Sequence, residues 1–418
     1  MTGRVWVRAG VAVLVGLSVI VVGNPSSAAG CESAAVVTDL GDNGGARQLR
    51  TAINEACVGA VITVIPGTIA LQPQPPGQPE WLLLQRDVTI TGLGPAAKPT
   101  VIDAHGQSRV IGVDRAHVIL ANLTITGGNA TGPTDTDKSG GGIASSGRVD
   151  LFAVRVTGNF AAFNGGGIAS AGVIPGSAAV LTLNLGSVVS NNSAPQGAGI
   201  ASDGVSAPAS LTLNDWSSVT NNSTSAFASD NVAGGISNVG IGGEALVTMN
   251  GASRVTANRS GGGGGINSTT IGAPARVIMN DHSTVSENVS VSGSGGGGGG
   301  GIFNATFGVG GTATVVVTGQ ATIEQNQADT GAGVFNWGGG GPGAVALTLT
   351  DSATIRGNTA AIVGGGVFNL SGPASVSVTL TGASSITGNT ATFVGGGIFS
   401  SGFVTIMCRS EAARRPIA

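Results

Sequence analysis

Val156-Thr157-Gly158-Asn159-Phe160-Ala161-Ala162-Phe163-Asn164-Gly165-Gly166-Gly167-Ile168 carries the two marks that decide the fold. The first mark is an apolar residue followed three positions later by Asn. The second is a glycine-rich cluster closed by Ile or Val. Both recur down the chain, and repeats of this length signal a solenoid. The pairs are Val156–Asn159, Val189–Asn192, Val219–Asn222, Val255–Asn258, Val285–Asn288, Ile323–Asn326, Ile355–Asn358 and Ile386–Asn389. The cluster-closing residues are Ile143, Ile168, Ile200, Ile236, Ile266, Ile302, Val334, Val367 and Ile398, at intervals of 25 to 36 residues.

A third element lies between the marks. It alternates apolar and polar, as in Leu181-Thr182-Leu183-Asn184, Leu211-Thr212-Leu213-Asn214, Val247-Thr248-Met249-Asn250, Leu347-Thr348-Leu349-Thr350 and Val378-Thr379-Leu380-Thr381. Alternation with period two is a strand with one buried face. Each repeat therefore holds three short strands: one after the glycine cluster, one at Leu-Thr-Leu and one at Val-x-x-Asn. Three strands per turn, stacked on their copies, predict an all-β chain, a right-handed parallel β-helix. The longer intervals add loops at Ala171 to Ala178, Asn238 to Glu244 and Asn336 to Ala344. Insertions at a fixed place in a solenoid emerge on one face.

Stacking explains the residue choice. Like residues above one another form continuous inner rows of Val, Ile and Leu. Asn159, Asn192, Asn222, Asn258, Asn288, Asn326, Asn358 and Asn389 are expected to form an amide ladder, each side chain bonding its copy in the next coil. Asn also tolerates the left-handed backbone region at a corner. Glycine enters that region without steric cost. A flexible linker is the bland reading of the glycine runs. Against it, each run ends in an apolar residue, in six cases 8 or 9 positions after an Asn. Gly295 to Gly301 is the run with most room for a mobile loop.

Composition narrows the function. Glycine is 74 of 418 residues, charged residues are 9%, aromatics 4%, and Tyr is absent. Large side chains cannot build a globular core here, and the glycines lack the Gly-X-Y period of collagen. Net charge is −3 with no interior Lys/Arg cluster, so nucleic acid, which needs a basic stripe, is not an expected partner. The local basic group is Arg409, Arg414 and Arg415.

The first residues read as an export signal. Arg4 and Arg8 precede an apolar run from Val11 to Val22, and Ser27, Ala28 and Ala29 follow. That order is a secretory signal, with cleavage expected after Ala29. The apolar run is shorter than the roughly 17–25 residues of a spanning helix, so no transmembrane span is expected after cleavage. Cys31 raises lipid attachment as an alternative, since Ala28-Ala29-Gly30 loosely resembles a lipobox. In an oxidising compartment Cys31 and Cys57 can pair, leaving Cys408 over.

Residues 30–80 read as a small α/β cap over the solenoid end, where strand edges need cover. Ala35 to Thr38 and Val61 to Val64 are expected strands. Arg47 to Ala56 carries Leu49, Ile53 and Ala56 at helical spacing. The β-helix is expected over 81–407, with its first coils from Trp81 to Ile125. Residues 408–418 break the pattern, and the abrupt change at Cys408-Arg409-Ser410 reads as a truncated end or a shifted frame.

At the N-terminus, Val36-Val37-Thr38-Asp39 through Gly45-Ala46-Arg47-Gln48-Leu49-Arg50-Thr51-Ala52-Ile53 resembles the CSLREA-type motif of secreted bacterial β-helix proteins. Leu49, Arg50, Ala52 and Ile53 match; Arg47, Gln48 and Thr51 depart from its Cys, Ser and Glu. The Asn-to-glycine-cluster repeats are similar to polymorphic outer membrane protein repeats of the pectin-lyase-like superfamily. Together the resemblances span residues 34 to 400. They imply the fold more than the function, since that fold hosts lyases, hydrolases and adhesins. The adhesin-like relatives often carry a C-terminal β-barrel, and nothing after Ile398 could form one.

Candidate chemistry is sparse. Asp103 and His105, two apart on a strand in Val101-Ile102-Asp103-Ala104-His105-Gly106, share a face and could do acid–base work. The competing reading is a corner between coils. Asp114 is the second carboxylate a glycoside hydrolase would need, with Arg115, His117 and Asp150 near in sequence. Asp281-His282 reads as a solvated corner. Asp135-Thr136-Asp137 faintly suggests calcium but lacks the further oxygen ligands and closing Glu. No phosphate-loop, zinc or nucleophile-elbow motif is present, and no cofactor or metal is expected. The resulting expectation is a non-catalytic secreted or cell-surface protein, adhesin-like or structural. Its expected partner is an extracellular polysaccharide or a host or cell surface. A polysaccharide lyase or glycoside hydrolase on the same fold is the alternative.

Overall fold

The computed structural model describes residues 30–224, 232–291, 298–401 and 404–409. Residues Glu32–Ala418 form one unit. One coil shows the plan. Ala179–Asn184 lies in sheet 1, Val188–Ser190 in sheet 2, Ser193–Ala194 in sheet 3 and Ile200–Gly204 in sheet 4. Successive coils pair in parallel, giving sheets of thirteen, eleven, nine and eleven strands respectively. The chain is thus a parallel β-helix. It has four sheets where three strands per turn were expected. The extra one, sheet 3, follows each ladder Asn and is mostly two residues long, as at Phe160–Ala161 and Ser223–Thr224.

Register is kept from coil to coil. Leu181, Leu211, Val247, Val277, Val315, Leu347 and Val378 stand in one inner column of sheet 1. Ile143, Ile168, Ile200, Ile236, Ile266, Ile302, Val334 and Val367 form the column of sheet 4. All are buried, and each contributes roughly 1.5–3 kcal/mol of hydrophobic stabilisation. The outer face of sheet 4 carries a second apolar file. The Phe303, Phe335, Phe368 and Phe399 rings stack at centroid separations of 5.3, 4.8 and 5.5 Å, within the range for favourable ring pairs.

The glycine cluster serves two purposes. Its first glycine, such as Gly165 (φ +62°), Gly331 (φ +55°) or Gly364 (φ +66°), turns the chain through the left-handed region. Its last glycine is required by close approach instead. A methyl group at Gly301 would lie 2.6 Å from the Gly333 carbonyl oxygen and 2.9 Å from the Asn326 amide nitrogen. The left-handed residue at the asparagine corner is not the ladder Asn, as expected from its tolerance. It is the residue before it: Gly158, Asn191, Asn221, Ala257, Glu287, Gln325, Gly357 and Gly388.

The sheets run into the segment expected as a cap. Ala56–Val64 pairs with Val88–Gly92 in sheet 1, and Gly67–Ala70 with Thr100–Asp103 in sheet 2. Glu32–Val37 adds the outermost strand of sheet 1. The helix Leu49–Glu55 buries Leu49, Ala52 and Ile53. Arg50, one of the matched motif residues, grips Asp42 with two bonds of 2.8 Å and donates to the carbonyls of Pro79, Glu80 and Trp81. At the other end Val404–Arg409 still pairs with the strand before it. The expected signal segment and residues 410–418 lie outside the described residues. Among the described residues no helix is long and apolar enough to cross a membrane.

Candidate functional site

The ladder positions come together at the turn from sheet 2 to sheet 3. In each coil the Asn backbone N–H and side-chain Nδ2 both donate to Oδ1 of the Asn one coil on, at 2.8–3.0 Å. The chain of bonds runs from Asn159 through Asn192, Asn222, Asn258, Asn288, Asn326 and Asn358 to Asn389. Nδ2 also donates back to a sheet 2 carbonyl, as Asn326 does to Val285 at 3.0 Å. The first rung needs no Asn, since Gly128 N–H donates to Asn159 Oδ1 at 2.9 Å. Seven of the eight amides are buried and Asn389 is half-buried, so each satisfied group avoids a desolvation cost.

Two further files were missed. Asn280, Asn250, Asn214 and Asn184 bond in series at 2.8, 2.9 and 2.9 Å at the corner after sheet 1, and Thr350 to Thr318 takes up the same role at 2.9 Å. Inside sheet 4, Asn304 donates to Asn336 at 3.0 Å and Asn336 to Asn369 at 2.8 Å. The signal was present: the polar residue two after each cluster-closing Ile or Val is Ser or Asn from Ser145 to Ser400.

Asp103 and His105 form a turn. Asp103 Oδ1 accepts the His105 backbone N–H at 2.8 Å, and His105 and Gly106 both have positive φ, 51° and 75°. The imidazole is 3.7 Å from Asp103 and half exposed. Asp103 ends a sheet 2 strand, whereas Asp114 follows a sheet 4 strand. The coil therefore sets them on different faces. Asp114 accepts from Arg115 Nε at 3.2 Å and from Gln85 at 3.4 Å. Asp281 has φ +56° and accepts from Gly251 N–H at 2.8 Å, and His282 follows it in that corner.

The coil does assemble one charged group that the sequence had left scattered. His117 and Arg148 are register partners on the outer face of sheet 1. His117 Nε2 lies 2.8 Å from Asp150 Oδ2. Arg148 donates to the same carboxylate through Nε at 2.9 Å and Nη2 at 3.3 Å. Burial pushes the Asp150 carboxyl up, but hydrogen bonds from Arg148, His117 and Thr182 outweigh it and hold it below the usual carboxylate range. Asp87 accepts the His117 backbone N–H at 2.7 Å. A carboxylate fixed on one imidazole nitrogen of a half-exposed histidine orients the ring, as a general base requires.

The Asp135–Asp137 loop closes on itself. Asp137 accepts from the Thr134 hydroxyl at 2.6 Å. Arg109, buried and 4.9 Å above the Trp81 ring, donates to the Thr136 carbonyl at 2.6 Å. Among the described residues no group of three His, Cys, Asp or Glu is placed to hold a metal ion. Cys31 and Cys57 are both disulfide-bonded.

A buried carboxylate that sequence reading passed over is Asp203, on sheet 4. Asn164 Nδ2 donates to its Oδ2 at 3.0 Å. Burial pushes its carboxyl up to about 7, against the Val239 N–H and the Asn164 amide, which lower it. Comparison of the chain with protein-family models, with curated proteins and with solved structures found no match.

Proposed function

We propose that this chain is exported by its first 29 residues and serves at the cell surface or beyond it as a non-catalytic β-helix, adhesin-like or structural. On this reading it is a right-handed member of the pectin-lyase-like superfamily, Cys31 pairs with Cys57, and the partner is an extracellular polysaccharide or a host or cell surface. The observation that carries it is the outer face of sheet 1. From Val180 to Thr381 one row holds Thr182, Thr212 and Thr248, then Ile278 and Val316, then Thr348 and Thr379, beside the bonded Asn184, Asn214, Asn250 and Asn280. A rigid, half-exposed array of hydroxyls and amides suits repeated weak contacts along a polymer or surface, whose sum is avidity. The test screens the purified mature protein against acidic and neutral polysaccharides for binding and cleavage together. Binding without cleavage is the expected result, and cleavage of any of them refutes the non-catalytic reading.

One observation favours a second reading, a polysaccharide lyase or hydrolase. The His117–Asp150–Arg148 group joins an oriented imidazole to a cation on an open sheet face. If cleavage appears, Asp150→Asn should abolish it while leaving binding intact. Cleavage that survives Asp150→Asn and is lost in Asp103→Asn would move the chemistry to the other face.

A further inference from the structure

Asp203 and Asn164 share an unbalanced account of hydrogen bonds. Asn164 Nδ2 donates to Asp203 Oδ2 at 3.0 Å. The two remaining oxygens of the pair, Asp203 Oδ1 and Asn164 Oδ1, are both sealed from solvent and neither completes a hydrogen bond, although the Val239 N–H lies near enough to the carboxyl to favour its charged form. Buried polar atoms without partners are rare, and each calls for an explanation. Turning the Asn164 amide over does not help, because an amide oxygen would then face a carboxylate oxygen. One added proton resolves both defects. A protonated Asp203 Oδ1 becomes a donor, and the acceptor it needs is Asn164 Oδ1.

We propose that Asp203 is a neutral carboxylic acid in the folded protein, joined to the Asn164 amide by a ring of two hydrogen bonds, and that this ring is a proton-controlled latch. The latch spans two coils. Asn164 lies in the turn between sheets 3 and 4 of one coil, and Asp203 sits on sheet 4 of the next, 39 residues on. The same turn is stacked on its neighbours by Gly140 N–H to the Asn164 carbonyl at 3.0 Å and Gly165 N–H to the Gln196 carbonyl at 3.0 Å. Loss of the proton leaves a charge that burial penalises and an amide oxygen without a donor, so the turn at 162–167 loosens from the coil beneath it.

No described charge nearby competes for this role. The strands on either side, Ile168–Ala171 and Ile236–Gly240, carry no titratable side chain, and neither do the turn at 160–167 or the segment 204–208. Beyond these elements, Lys138 accepts from Phe163 N–H through its carbonyl, and Glu244 pairs with Arg276 at 3.5 Å. The carboxyl's elevation to about 7 places the latch's release close to neutrality.

The test uses the whole protein labelled with ¹³C at the Asp carboxyl carbons. One Asp resonance should titrate about 3 pH units above the ordinary carboxylate range and be absent from Asp203→Asn. Hydrogen exchange at 162–167, corrected for the intrinsic effect of pH, should rise through neutrality in the natural chain. In Asp203→Asn, which keeps an uncharged side chain of the same shape, it should stay flat. An Asp203 resonance already ionised at pH 6 overturns the neutral acid. Exchange that rises equally in both proteins overturns the latch. If Asp203→Asn does not fold, the resonance is assigned from its shift in Asn164→Ala, which removes the amide without adding a carboxyl, and the titration of the natural chain decides alone.

Discussion

Replacing Asn326 with Leu removes a ladder rung whose every contact is known. Its Oδ1 accepts the backbone N–H and Nδ2 of Asn288, both at 3.0 Å. Its Nδ2 donates to Asn358 Oδ1 at 2.9 Å and to the Val285 carbonyl at 3.0 Å. After the change Asn358 Oδ1 keeps the Asn326 backbone N–H, and Asn288 Nδ2 keeps the Val255 carbonyl at 2.9 Å. One group is stranded, the Asn288 backbone N–H, because the Val285 carbonyl lies in the parallel ladder between Thr284–Ser286 and Thr322–Glu324 and keeps its strand partner there. A buried orphan costs about 1–3 kcal/mol, and that is the expected loss. Leu is also the wrong shape for a site whose ceiling is Gly301. The half-buried Asn389 has no described rung beyond it, so Asn389→Leu should cost less. Solenoid unfolding need not be two-state, so hydrogen exchange of the coils around 288 and 358 should accompany thermal denaturation. Unchanged melting together with unchanged exchange in Asn326→Leu would refute the claim that the ladder holds the coils together.

Gly301→Ala should destabilise by about 1–3 kcal/mol, the usual cost of overpacking, whereas Gly397→Ala, where a methyl group would meet nothing within 4 Å, should be near neutral in the same melting assay. The Asp150 carboxyl is held below its ordinary value by Arg148, His117 and Thr182 against the upward push of burial. Its stabilisation is therefore present above the ordinary carboxylate pKa and lost as pH falls through the folded value; Asp150→Asn should flatten that acid limb of a stability-versus-pH curve. Cys57→Ser should cost about 2–4 kcal/mol, and mass spectrometry of non-reduced protein should find Cys31 linked to Cys57, not a lipid on Cys31.

The repeat was legible because a stacked coil writes each inner column into the sequence as a recurring residue. Val189, Val219 and Val255 stand in one column in the fold just as they recur in the chain. Sheet 3 escaped notice because two residues, such as Ser193–Ala194, are too few to show a period. The left-handed residue before each Asn escaped because its identity varies from Gly to Glu, and the stacking imposes the backbone there. The charged group of His117 and Asp150 was hidden for another reason. Its members lie 33 residues apart, and only the coil register turns that separation into contact. Asp203 and Asn164 follow the same rule. A carboxylate in a short strand looks like any surface acid until the coil beneath it is known.

The asparagine file has a sense of direction, and this makes its two ends different chemical templates. Every rung sends two donors forward, toward the coil that follows in the chain. The trailing end thus presents an acceptor, and the plain backbone N–H of Gly128 was enough to meet it. The leading end presents a pair of donors converging on one point, which only a side-chain oxygen of the right reach can answer. A coil arriving one residue out of step would place a carbon there and leave both donors dry. The file at Asn184–Asn280 runs the opposite way, each later amide donating to the earlier one. A coil laid down between them is therefore questioned twice, as acceptor at one corner and as donor at the other. Growth of the stack in chain order carries its own check on register through the coils from Asn184 to Asn280, where both files run.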